Sequence, residues 1–180
     1  MFDDHSPIGR IIHFLARYTA LLGGAVLTGV IVLITLSIVG RALIWAGLRP
    51  IRGDYELASI GVAFVVFAFL PWTHLMRGHA VVTLVTDNFS KRVNAWILVL
   101  TDAAILVAAA FLTWTLYQGM LEKFAYGETT LLLRIPLGWA YASALVGCVV
   151  FVIVALFVFC RSLSNAVSGR IEASRGGAEI

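Results

Sequence analysis

IPLGWAYASALVGCVVFVIVALFVFC, residues 135–160, runs for 26 positions without a charged side chain. A helix crosses the roughly 30 Å hydrocarbon core of a bilayer in about 20 residues. This stretch is therefore long enough to span it. Its opening supports that reading. Ile135-Pro136 places proline in a first helical turn, where its missing N–H costs no hydrogen bond. Trp139 and Tyr141 follow within a turn, and amphipathic rings of this kind settle at a membrane surface.

Working outward, three further charge-free stretches occupy residues 18–40, 57–76 and 103–121. The chain is 61% hydrophobic and 13% charged, against roughly 45–50% and 25% in soluble domains. A soluble globule could not cover so much apolar surface. The pattern predicts an all-α membrane protein with four transmembrane helices plus amphipathic interfacial helices. It is read as a single integral membrane domain over residues 1–180, with spans near 19–41, 57–76, 97–121 and 135–160. The connections are short, so the spans form either a bundle or a sheet of helices, and no linker suggests a second domain. The first apolar stretch exceeds a signal-peptide core and is not followed by a small-residue cleavage pattern, which predicts a retained helix.

The flanks carry their own periodicity. Ser6-Pro7 reads as an N-cap and first helical position. Ile8, Ile11, Ile12 and Leu15 then repeat at helical spacing opposite Arg10, His13 and Arg17. This predicts a basic amphipathic helix over residues 7–18 lying along the headgroups, with the first turns of one long span as the alternative. A second such stripe runs through Val81, Val82, Val85, Phe89, Val93 and Trp96. Pro71 predicts a kink near the end of the second span. Arg49-Pro50 and Arg52-Gly53-Asp54 mark a turn-rich connector, and three residues are too weak a match to make Arg-Gly-Asp an integrin signal. The tail over residues 170–180 is expected to be disordered.

Cations are sorted between the two sides. Arg10, Arg17, Arg77, Lys91, Arg92, Arg161, Arg170 and Arg175 fall on one, and Arg41, Arg49, Arg52, Lys123 and Arg134 on the other. The positive-inside rule therefore puts both termini in the cytoplasm. The net charge of +3 lies at helix ends and flanks and gives no reason to expect nucleic acid. Cys148 and Cys160 are separated by about 18 Å of helix at about 1.5 Å per residue and cannot pair with each other.

Little in the chain could carry chemistry. Asp102 is the one acid set among the apolar stretches, where a mid-bilayer carboxylate costs about 2.5–3.5 kcal/mol on insertion scales. It is a candidate proton or cation site, or else a polar residue at a helix end or subunit contact. Glu56 opens the second span, where the helix dipole favours a carboxylate, and Arg41, Arg52 or a cation on another subunit could pair with it. Arg77 and His79 are further candidate contact residues. His13 and His74 could in principle ligate a haem, the basis of an alternative reading as a membrane anchor for a redox enzyme binding haem or quinone. Phosphate loops, nucleophile elbows, zinc-binding helix motifs and paired membrane carboxylates are missing from the sequence. An enzyme is not expected, and no metal or cofactor is expected on this chain.

Three fragments in a fixed order carry a family resemblance: Glu56 at the head of the second span, Arg77-Gly78-His79 with Val and Thr behind it, and Ile135-Pro136-Leu137-x-Trp139-x-Tyr141 opening the fourth. From about Leu21 to Cys160 the chain resembles the small membrane subunit of tripartite ATP-independent periplasmic (TRAP) transporters. The resemblance implies a scaffold partner for a large membrane subunit that holds the substrate and sodium sites. It also implies that the chain lies in the bacterial inner membrane and serves uptake of organic acids delivered by a periplasmic substrate-binding protein. Membrane lipid is the remaining expected partner. On this topology the outer face presents Arg49, Arg52, Glu122, Lys123, Glu128 and Arg134, the residues expected to guide docking of the binding protein.

Overall fold

The computed structural model describes residues 7–76 and 91–168. Helix α1 (Pro7–Ala42) begins at the proline and ends with Arg41 in its last turn, where the negative end of the helix dipole favours a cation. A 3-10 turn (Ile44–Ala46) and the left-handed Gly47 then reverse the chain. Helix α2 (Asp54–Leu75) carries Asp54 and Glu56 in its first turn, the favourable end for acids. Helices α3 (Lys91–Ala125) and α4 (Leu137–Ser168) follow. All four are long and apolar enough to cross a membrane. At about 1.5 Å per residue they measure roughly 54, 33, 52 and 48 Å, so every helix except α2 overruns the hydrocarbon. The chain is a multi-pass membrane protein.

The helices form an open row in the order α1, α2, α4, α3, with a smaller contact between α1 and α4. Because α2 and α4 are both preceded by an antiparallel neighbour, they run parallel to each other at the centre. α4 is the inner helix. Half of its most apolar window is buried within the chain, against 17% for α1 and for α3. Two cores flank it. Ile12 and Ala16 of α1 meet Leu75 of α2 and Val150, Val154, Phe157 and Val158 of α4 on one side. Ala109 of α3 meets Phe151 and Ala155 on the other, with Leu70 of α2 packed against them.

Lipid tails are as apolar as leucine, so helices in a membrane associate through close packing, which small residues permit. A Cβ built on Gly23 would stand 3.0 Å from the Cβ of Ala68, and one on Gly61 would stand 2.5 Å from Val30 Cγ2, which fixes α1 against α2. The tightest backbone approach between two helices joins α2 to α4. Pro71 has no N–H to give the carbonyl of Phe67, four residues earlier. Gly147 of α4 packs onto that peptide, and a Cβ there would lie 2.8 Å from the Phe67 carbonyl carbon and 2.9 Å from its oxygen. α2 continues as one α-helix through Pro71, which is buried, to Leu75.

The structure corrects the expectation of a separate surface helix over residues 7–18. That segment is the start of α1, which continues unbroken to Ala42. The physical reason is burial: Gly9, Ile12, Ala16, Thr19 and Gly23 lie on one continuous buried face at helical spacing, so the basic turns pack with the bundle as they leave the hydrocarbon. Val93 and Trp96 of the second stripe likewise belong to α3. The earlier part of that stripe, Arg77, His79 and the tail over residues 170–180 lie outside the described residues.

Candidate functional site

The end of the row that carries the connections 43–53 and 126–136 holds most of the expected docking residues. Glu56, half-buried on the first turn of α2, reaches across to the connection between α3 and α4. The backbone N–H of Leu132 donates to its Oε1 at 2.7 Å and that of Leu133 to its Oε2 at 2.9 Å. The sequence suggested Arg41 or Arg52 as the partner of Glu56. The carboxylate instead holds two amides 76 and 77 residues away, a choice the sequence could not indicate because every residue carries the same backbone donor.

That connection is a short hairpin. Thr129 and Pro136 form an antiparallel bridge. The N–H of Thr130 donates to the Ile135 carbonyl at 2.9 Å, and the N–H of Ile135 returns to the Thr130 hydroxyl at 3.0 Å. At its base Lys123 donates to both oxygens of Glu128, at 2.8 and 2.7 Å. These two expected docking residues therefore face each other. Leu133 packs onto Gly53, whose φ of 76° suits glycine and where a Cβ would stand 2.4 Å from Leu133 Cγ. Gly53→Ala is therefore expected to push the hairpin off α2. Amide exchange at Leu132 and Leu133 should rise by about tenfold, the order of one lost hydrogen bond. Unchanged exchange would show that the contact does not hold the hairpin.

Asp54, the last residue of the Arg-Gly-Asp turn, is also engaged within the chain. It accepts the Ser37 hydroxyl proton from α1 and the Tyr55 N–H at 2.8 Å. With Asp54, Glu56 and Glu128 occupied internally, the outward charges at this end among the described residues are Arg41, Arg49, Arg52, Arg134 and Glu122, all exposed.

At the opposite end Asp102 is 4% exposed and accepts the Ser162 hydroxyl proton from α4. Arg161, beside Ser162, is buried as well. Asp102 thus lies between two helices of the same chain. His74 is buried edge-on against Phe151 of α4, with ring centroids 5.9 Å apart. His13 stands edge-on to Trp72, at 5.8 Å. The two imidazoles proposed as a haem pair each pack edge-on against a different aromatic ring. Among the described residues, no group of three potential metal ligands comes together. Sequence reading missed Ser37, Ser162 and the 132–133 amides as partners. Serines at helical positions in a span were the available signal, since a polar side chain inside a bilayer seeks a partner.

The fold and these contacts define a multi-pass helical membrane protein whose carboxylates tie its own helices and connections together. Residues 30–165 match the family model of the tripartite ATP-independent periplasmic transporters, DctQ component. That match spans most of the chain, and the protein belongs to this family. No curated protein and no solved structure matches it.

Proposed function

We propose that this chain is the non-catalytic small membrane subunit of a TRAP-type secondary transporter. It acts as the static partner of a large membrane subunit in cation-coupled uptake of organic acids, carboxylates brought by a periplasmic binding protein. The family match over residues 30–165 carries this reading. The open row supports it, because α1 and α3 are edge helices with most of their surface uncovered by the chain itself, faces suited to lipid or a larger subunit. On this reading the large subunit handles substrate and sodium, and this chain binds no cofactor. Its place is the bacterial inner membrane, with both termini in the cytoplasm.

Purification of the tagged chain from its native membrane in mild detergent tests the proposal. A multi-span permease is expected to accompany it. Recovery of a flavin, iron–sulfur or haem subunit in its place would overturn the transporter reading in favour of a redox anchor.

Docking is assigned to the exposed arginines of the two connections, Arg49, Arg52 and Arg134, since Lys123 and Glu128 neutralise each other. Surface charge acts mainly on encounter rate. Reversal of Arg49, Arg52 and Arg134 to glutamate together is expected to slow binding-protein-dependent uptake by about tenfold while leaving subunit assembly intact. Uptake at the wild-type rate would rule out electrostatic guidance by this face.

A further inference from the structure

The hairpin between α3 and α4 ends in three consecutive leucines, and the structure presents them rather than hiding them. Leu131 is 93% exposed and Leu132 69%. A mobile turn could fold such residues away. This one cannot, because Glu56 holds the N–H groups of Leu132 and Leu133 and Leu133 is seated on Gly53. The tip is therefore a fixed apolar projection.

Its depth follows from what holds it. The charge-free stretch of α2 begins at Leu57 and runs for 20 residues to Met76, about 30 Å of helix, which matches the hydrocarbon thickness. Glu56 thus marks the boundary between hydrocarbon and headgroups. Amides less than 3 Å from its carboxylate lie at that same level. The surroundings have the composition of an interface. Tyr55, beside Glu56, and Trp139, on the first turn of α4, are strongly exposed, and such rings settle between headgroups and acyl chains. Arg52 and Arg134, the sequence neighbours of Gly53 and Leu133, are exposed, and guanidinium groups near the headgroup level pair with lipid phosphates as well as with protein carboxylates.

We propose that the turn formed by Leu131, Leu132 and Leu133 is a membrane anchor, seated in the boundary between headgroups and acyl chains and set to that depth by Glu56. The occupant of this surface is the lipid bilayer. The inference does not depend on the transport reading, since it concerns how the chain itself sits in its membrane.

A nitroxide at Leu131→Cys, and separately at Leu132→Cys, tests it in a Cys148→Ala, Cys160→Ser background. The full-length chain is purified with its bound subunits and reconstituted into phosphatidylethanolamine and phosphatidylglycerol vesicles. Collisions with oxygen, which concentrates in lipid, are compared with collisions with a water-soluble nickel chelate. Both labels should favour oxygen, reversing the ratio of free label in buffer. Glu56→Ala, with Glu56→Gln as a variant that keeps a side-chain acceptor, should shift the ratio at position 131 toward nickel, more for alanine. A nickel-dominated ratio in the unsubstituted background would place the tip in water. Suppression of both collision rates would place it under protein. Either result overturns the proposal, and a ratio indifferent to Glu56 overturns the part assigned to that carboxylate.

Discussion

Gly147→Leu is expected to separate α2 from α4 and produce the largest loss of stability of any single change in the helix contacts. A Cβ at this position would lie 2.8 Å from the carbonyl carbon of Phe67 and 2.9 Å from its oxygen. Both are backbone atoms, so no rotamer change can relieve the clash. Overpacked cores cost about 1–3 kcal/mol when side chains can adjust, and here the cost should reach at least the top of that range. Gly147→Ala should already show much of it, because the clash begins at Cβ. Gly24→Ala is the control: nothing lies within 4 Å of a Cβ there, and exchanging glycine for alanine within a helix is neutral or mildly favourable. Thermal denaturation in mild detergent should therefore lower the midpoint by several degrees for both Gly147 variants and not for Gly24→Ala. A Gly147→Leu protein melting with the wild type would mean that α2 and α4 are not held at this backbone approach.

Asp102→Ala is the second large effect, and it separates two roles left open by the sequence. The carboxylate is buried between α3 and α4 and holds the Ser162 hydroxyl. Interhelical hydrogen bonds in membranes average about 0.6 kcal/mol and reach about 1.7. This one belongs near the upper limit, because both partners are buried and a buried polar group left without its partner is costly. Alanine should cost about 1–2 kcal/mol, read as a lower denaturation midpoint. Asparagine keeps an acceptor oxygen for Ser162 and should recover most of that loss. The same variant tests proton carriage. An Asp102→Asn complex is expected to keep the pH profile of uptake, as suits a structural tie. A displaced profile at normal assembly would show that Asp102 takes up a proton during transport.

Histidine positions illustrate the limit of a one-dimensional reading. His13 and His74 do lie at the same end of the row, as their positions in the sequence imply, yet each ring is turned to its own aromatic neighbour. Sequence fixes which end of a span a residue occupies, because that depends only on counting. Which way the ring points depends on the neighbours that packing supplies. The same distinction explains α1. The amphipathic pattern of residues 7–18 is genuine, but Ile12 and Ala16 of its apolar side are covered by α2 and α4 while Ile8 and Ile11 stay exposed, and hydropathy cannot distinguish those two apolar surroundings.

The sequence by itself determined that there are four spans, with acids at the head of α2 and rings at the start of α4. Each of these rests on local composition measured against a bilayer of fixed thickness. Only the tertiary structure decided that the helices form an open row with α4 at its centre, that Gly147 meets the carbonyl freed by Pro71, and that Glu56 grips a distant hairpin through its backbone. Those outcomes depend on small residues and generic peptide groups meeting at close range across helices. Spans that are apolar on nearly every side carry no periodic signal to foretell which of their faces will touch.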